Sequence, residues 1–129
     1  MNEDIFTAFA EGKLAVGRQR IDLASLAWQP HGQFAGVSMK NLVTLEQTAG
    51  TFTCHLVKIE PGKAIGRHSH PASIELHEVV GGKGVCRTEQ GDIHYVPGTM
   101  GVMAVGAVHE IVAGDQGLCL LAKFVTVAG

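Results

Sequence analysis

The stretch "GKAIGRHSHPASIELHEVVGG" (62–82) packs three histidines and two glutamates between glycines. On a β-strand, side chains alternate faces, so residues i and i+2 look the same way. His68 and His70 in "RHSHP" are such a pair. Their Cα atoms lie roughly 6.6 Å apart at about 3.3 Å per residue, a separation from which two imidazoles reach one ion at about 2.0–2.1 Å. Pro71 removes a ladder donor, and "PAS" turns the chain. In the strand that follows, Glu75, His77 and Val79 share one face, while Leu76, Glu78 and Val80 share the other. Downstream, His109 opens "HEIV" and offers a further ligand from a third strand. On spacing alone the cluster reads either as a metal site or as histidines satisfied within a sheet.

The rest of the chain supports a β context. Glycine is abundant, 17 of 129 residues. It punctuates apolar, β-branched runs: "TFTCHLVKIEPG" (51–62), "SIELHEVVGG" (73–82), "GVCRTEQGD" (84–92), "IHYVPG" (93–98), "GVMAVG" (101–106), "VHEIVAGD" (108–115) and "GLCLLAKFVTVA" (117–128). Each reads as a strand closed by a turn signal, and the spacing of about 8–12 residues suits an antiparallel sandwich or barrel. Residues 2–10 suit one short helix, capped by Asn2 or Asp4. "ASLAW" (24–28) stays ambiguous between helix and extended chain. The expected layout is all-β: one domain over 1–129, with an arm over about 1–45 and a barrel over about 46–127.

Composition narrows the function classes. Apolar residues make up 46% and charged residues 17% of the chain, as in a globular domain. The formal net charge is −2 and there is no basic run, so neither nucleic acid nor a membrane surface is an expected partner. No apolar run approaches the about 20 residues of a bilayer span, and the opening "MNEDIFTAFAEGKLA" lacks the apolar core of a secretory signal. Cys54, Cys86 and Cys119 are widely spaced, which suits reduced thiols in a cytoplasmic protein.

The residues also match a family pattern. Gly62, five residues, His68-x-His70, four residues, Glu75, six residues and Gly82 resemble, at every fixed position, the first motif of the cupin superfamily, G-x5-H-x-H-x3–4-E-x6-G. The second cupin motif, G-x5-P-x-G-x2-H-x3-N, is matched in "GTMGVMAVGAVHEIVA" (98–113) at Gly98, Gly106 and His109, with Ala104 and Ala113 in place of the proline and asparagine. Both departures fall at positions that shape turns in the family, and the ligand positions are kept. Fifteen residues separate the motifs, the short spacing of single-domain, RmlC-like bacterial members. The upstream W-x-P…G-V-x-x-K-x-L pattern (Trp28 to Leu42) looks like the ChrR-type cupin group.

The resemblance implies a small jelly-roll barrel with His68, His70, Glu75 and His109 around one divalent transition metal. Three imidazoles and a carboxylate suit Fe, Mn, Ni, Co, Cu or Zn without choosing one, and an ion so held keeps positions for water or substrate. His77 lies outside the implied ligand set and is the candidate outer acid/base. His55, Tyr95 and Met103 are pocket candidates; His31 and His94 receive no role. The expected function is a small-molecule metalloenzyme, with dioxygenase chemistry first and lyase or isomerase chemistry next. The alternative is a metal- or ligand-sensing module acting through a protein partner; no Cys/His-rich zinc segment precedes the barrel to favour it. A homodimer is expected, because the arm and sheet edges otherwise expose apolar surface.

Overall fold

The computed structural model describes residues 4–127. The one α-helix among the described residues, α1 (Ile5–Ala10), starts where Asp4 caps it, accepting from the amides of Phe6 and Thr7. This shortens the helix expected over 2–10; Asn2, the alternative cap, lies outside the described residues. A small hairpin follows, β1 (Lys13–Val16) with β2 (Gln19–Asp22). "ASLAW" resolves as one turn of 3₁₀ helix at Leu23–Ser25, capped by Asp22, and then extended chain.

The remaining strands are β3 (Gln29–Pro30), β4 (Val37–Val43), β5 (Phe52–Ile59), β6 (Ala64–His68), β7 (Ser73–Thr88), β8 (Gly91–Tyr95), β9 (Met100–Met103) and β10 (His109–Thr126). The main ladder runs β3-β4-β5-β10-β7-β8, with β6 also on β10 and β9 also on β7, and the pairings are antiparallel. The two long strands each serve two places. Residues 118–125 of β10 pair with β5, whereas 109–112 pair with β6. Residues 75–78 of β7 pair with β9, whereas 84–88 pair with β8. The ladder thereby wraps into a jelly-roll barrel, as expected of the all-β reading.

Two boundaries differ from expectation. "SIELHEVVGG" and "GVCRTEQGD" form one strand, and so do "VHEIVAGD" and "GLCLLAKFVTVA". Their glycines mark corners, not ends: the β7–β10 register shifts between Ala113 and Leu118, opposite Gly82 and Gly84. At Gly82 the backbone is left-handed (φ 72°), and a Cβ would lie 2.1 Å from the Gly117 carbonyl oxygen. Only glycine allows the two strands to turn the corner in contact. The segment expected as arm also supplies β3 and β4 to the main sheet.

Burial follows the two-residue period. Val57 and Ile59 of β5 point into the barrel with Val79, Ile111, Leu118 and Leu120. Cys54 and Leu56 point outward, where Ala10, Leu23, Leu42 and Leu121 close a second apolar layer under the arm. Lys40 of β4 lies in that outer layer, 3% exposed, and its Nζ donates to the carbonyls of Ala10 (2.7 Å) and Leu23 (3.0 Å). The same Nζ sits 5.4 Å from the Trp28 ring centroid, and Trp28 stacks on Phe6. The W-x-P…K-x-L pattern thus ties the arm to the barrel wall. No helix among the described residues is long and apolar enough to cross a membrane.

Candidate metal centre

The four residues implied by the motifs meet inside the barrel. His68, the last residue of β6, His70 in the loop after it, Glu75 of β7 and His109 at the start of β10 place one ligand atom each within 4.8 Å of one another. His70 is not on the strand with His68. The ladder stops at His68, and the chain at His70 is held instead by the Gly106 amide donating to its carbonyl (2.9 Å). Gly106 belongs to the second motif, so the two motifs are joined by this bond. The departure at Ala104 leaves the turn intact, since the Ala107 amide still donates to the Ala104 carbonyl (3.0 Å). Ala113 pairs opposite Gly84 as an ordinary strand residue.

Local hydrogen bonds preset the rings. His68 Nδ1 lies 2.7 Å from the Gly66 carbonyl and His109 Nδ1 lies 3.1 Å from the Ala107 carbonyl. A carbonyl only accepts, so each Nδ1 carries a proton, and Nε2 is left with its lone pair in the neutral ring. Such backbone bonds behind the ring are the usual support of a metal-binding imidazole. His70 Nε2 is buried without a hydrogen-bonded partner, 3.4 Å from Glu75 Oε1. A buried orphan nitrogen of this kind is costly unless something else takes its lone pair. The donor set, tautomers and orphan together fit a divalent ion.

Electrostatics point the same way. Burial alone raises the Glu75 carboxyl, but the ring nitrogens of His109 and His77 against its two oxygens outweigh this and hold it well below the usual carboxylate range. Burial lowers His68 and His70. Burial also acts to lower His109, but the bonds to Glu75 and to the Ala107 carbonyl leave it raised. The cluster therefore holds one carboxylate and two imidazoles biased towards their neutral, ligating forms.

His77 is fully buried. Its Nε2 lies 2.9 Å from Glu75 Oε2, off the line of a good hydrogen bond, and its Nδ1 lies 2.8 Å from the Tyr95 hydroxyl. Because the carboxylate can only accept, the ring proton belongs on Nε2, and Nδ1 accepts from Tyr95. Gly101 makes this possible: a Cβ there would sit 2.2 Å from the Tyr95 hydroxyl oxygen. Glu78 is on the opposite face of β7 and pairs with Lys123, as the strand period requires.

A cavity of about 210 Å³ opens onto the cluster. His68, His70, Glu75 and His77 line it, but His55, Tyr95 and Met103 do not. His55 faces the interior side of β5, yet it is held between Asn41 (2.7 Å) and Thr53 (2.9 Å), edge-on to Phe124, which lines the cavity in its place. Tyr95 stands behind His77, and Met103 lies in the core beside it, paired in register with Glu75. Among the histidines that line it, the one given no role in the sequence is His31, in the turn between β3 and β4. Nothing local marks it. The His31 amide donates to the Val37 carbonyl (2.8 Å), and that closure folds the turn over the barrel mouth.

Comparison with known proteins agrees with this architecture. The ChrR Cupin-like domain family matches residues 16–128. No curated protein sequence matches the chain. Among solved structures, a predicted oxalate decarboxylase from Thermotoga maritima superposes with a TM-score of 0.74 at 22% identity, covering 81% of this chain and 96% of that one. A sugar phosphate isomerase of the cupin superfamily from Silicibacter pomeroyi gives 0.71 at 24% identity, over 84% and 76% of the two chains. The polyketide cyclase RemF from Streptomyces resistomycificus gives 0.74 at 17% identity, over 83% and 78%. At these identities the likeness is one of fold, and the three named activities differ from one another.

Proposed function

The chain belongs to the ChrR cupin-like family, and on that premise we propose that it is a small-molecule metalloenzyme with one divalent transition metal held by His68, His70, Glu75 and His109. The observation that carries the reading is the orphaned His70 Nε2 beside preset His68 and His109, at a cavity that His68 and His70 line. A bound ion would supply Lewis acidity, or one-electron chemistry if it is redox-active. The protein's own groups do the rest. The apolar part of the cavity wall lowers the local dielectric, which strengthens the polar contacts beside it. Glu75 presents Oε1 to the cluster while His77 holds Oε2. His77 acts through Glu75, as a positioning residue backed by Tyr95.

Oxygenase chemistry is the first class to test, then lyase or isomerase chemistry. A second reading, a sensing module working through a protein partner, is favoured by the ChrR family match. We also propose a homodimer. The deciding experiment is elemental analysis of protein isolated without chelators or an affinity tag. About one transition-metal ion per chain is expected, lost in His68→Ala. A metal-free wild type that fails to take up Fe, Mn, Ni, Co, Cu or Zn would sink the reading. Stable capture of a protein partner by the metal-loaded form, with no turnover of any tested substrate, would favour the sensor.

A further inference from the structure

The cavity beside the cluster has a selective chemistry of its own. Its wall is mainly apolar, with Phe34, Met39, Val57, Ile65, Leu120 and Phe124, and outside the histidines and Glu75 its polar members are the uncharged Gln33 and Ser69. Among the described lining residues there is no lysine or arginine, and the one carboxylate, Glu75, belongs to the cluster. A divalent ion against one glutamate carries a net charge of +1, so one further negative charge is balanced there. A second would be buried among apolar side chains without a partner, at high cost. At about 210 Å³ the space is also below the roughly 300–1,000 Å³ of pockets for drug-sized ligands.

His31 supplies directionality. Its Nδ1 accepts from the amides of Gln33 (3.0 Å) and Phe34 (3.3 Å), so that nitrogen bears no proton and the neutral ring carries it on Nε2. The ring packs against Phe34, 4.9 Å between centroids, and Phe34 in turn lies 6.4 Å from the His68 ring. His31 is therefore a fixed donor in the cavity wall, one aromatic ring away from the cluster.

Building on the metalloenzyme reading, we propose that the site selects a compact ligand with an apolar body and at most one negative charge. The ligand meets the ion through oxygen and offers a second acceptor to His31 Nε2–H. Dicarboxylates and phosphomonoesters are excluded by charge. The step from metal site to ligand class rests on the lining and on His31, not on the metal's identity.

The test uses protein loaded with Co(II), its stoichiometry checked first by elemental analysis. Three probes are titrated while the Co(II) absorption is followed: maltol (a compact ring that gives up its hydroxyl proton to the buffer and chelates as a monoanion), oxalate and glycerol 3-phosphate. Maltol is expected to shift the spectrum saturably and to bind at least about tenfold tighter than either anion. His31→Asn keeps an acceptor for the Gln33 and Phe34 amides, while its shorter side chain, with the carbonyl so engaged, puts no N–H at the position of Nε2. It should weaken maltol about tenfold, the worth of one hydrogen bond, with cobalt content, thermal midpoint and oxalate affinity unchanged. Oxalate or glycerol 3-phosphate binding as tightly as maltol overturns the proposal, as does an unaltered maltol affinity in His31→Asn. Failure to load Co(II) at one per chain is visible before any probe is added; it defeats the metal reading and this proposal with it.

Discussion

His77 and the three clustered histidines differ in what lies behind the ring. His68 and His109 lean on backbone carbonyls, whereas His77 leans on a phenol and faces the outer oxygen of Glu75. Partners one step out from a ligand typically tune metal affinity by about 10–100-fold. His77→Phe is expected to weaken metal binding within that range while stoichiometry stays at one, as read by competition with a chromophoric chelator; unchanged affinity would remove His77 from the site's working parts. The pH response follows from the protonation biases. His68 and His70 are lowered by burial, so near neutrality they already offer lone pairs. His109 is raised by Glu75, so its proton is the one an incoming ion displaces. Below the raised pKa of His109, binding should release about one proton per ion and weaken about tenfold per pH unit, and the dependence steepens at lower pH, where His68 and His70, both lowered by burial, protonate in turn. Calorimetry in buffers of different ionisation enthalpy counts those protons, and affinity flat from about pH 6 to 7.5 would contradict the assignment. The four clustered residues were legible in the sequence through the match to the cupin motifs; strand period alone did not select them, since it sets His77 on the face of Glu75 and His70 lies beyond the end of β6. His31 was not, because its place depends on a turn closing over the barrel from 37 residues upstream of His68, and no periodicity encodes that.

At the scale of elements, glycine was the ambiguous signal. Read as punctuation, it split β7 and β10 into four strands; in the structure it is the material of the corner. Gly82→Ala adds a methyl where the Gly117 carbonyl already sits and forces a left-handed alanine. A loss of more than about 2 kcal/mol is expected, read from the urea midpoint at constant m; a loss below about 0.5 kcal/mol would mean the corner relaxes freely. The pattern from Trp28 to Leu42 has a comparable structural reason. Lys40 is a buried cation whose partners are two carbonyls and an aromatic face. Lys40→Met leaves the Ala10 and Leu23 carbonyls without that donor, at a cost of about 2–3 kcal/mol. Because Lys40 lies on the outer side of β4, metal stoichiometry should not change, and limited proteolysis should cut the arm first. Loss of metal in a folded Lys40→Met would show that arm and cluster are coupled.

For the whole molecule the open question is which surface remains to be covered. The arm shields the outer face of the sheet at Cys54, Leu56, Leu121 and Val80, but it does not cover the rest. Beyond it Phe52, Val125 and Ile74 lie side by side in register across β5, β10 and β7, and Leu76 pairs with Val102 of β9. Val102 is 67% exposed and Met100 58%. Among the described residues β9 has no partner on its other edge. An apolar row ending in a free strand edge favours burial against another surface, and a second copy meeting it about a two-fold axis would cover both rows at once. Glu78 and Lys123, already paired with each other on this face, would need no new partner there. Light scattering is therefore expected to give about twice the 13.6 kDa of one chain. In Val102→Glu a two-fold axis would place two new carboxylates in the same interface, so the mass should fall towards that of one chain while metal stoichiometry holds, since Val102 faces away from the cluster. A wild-type protein that scatters as a 13.6 kDa particle at micromolar concentration would refute the dimer, and a dimer indifferent to Val102→Glu would move the interface elsewhere.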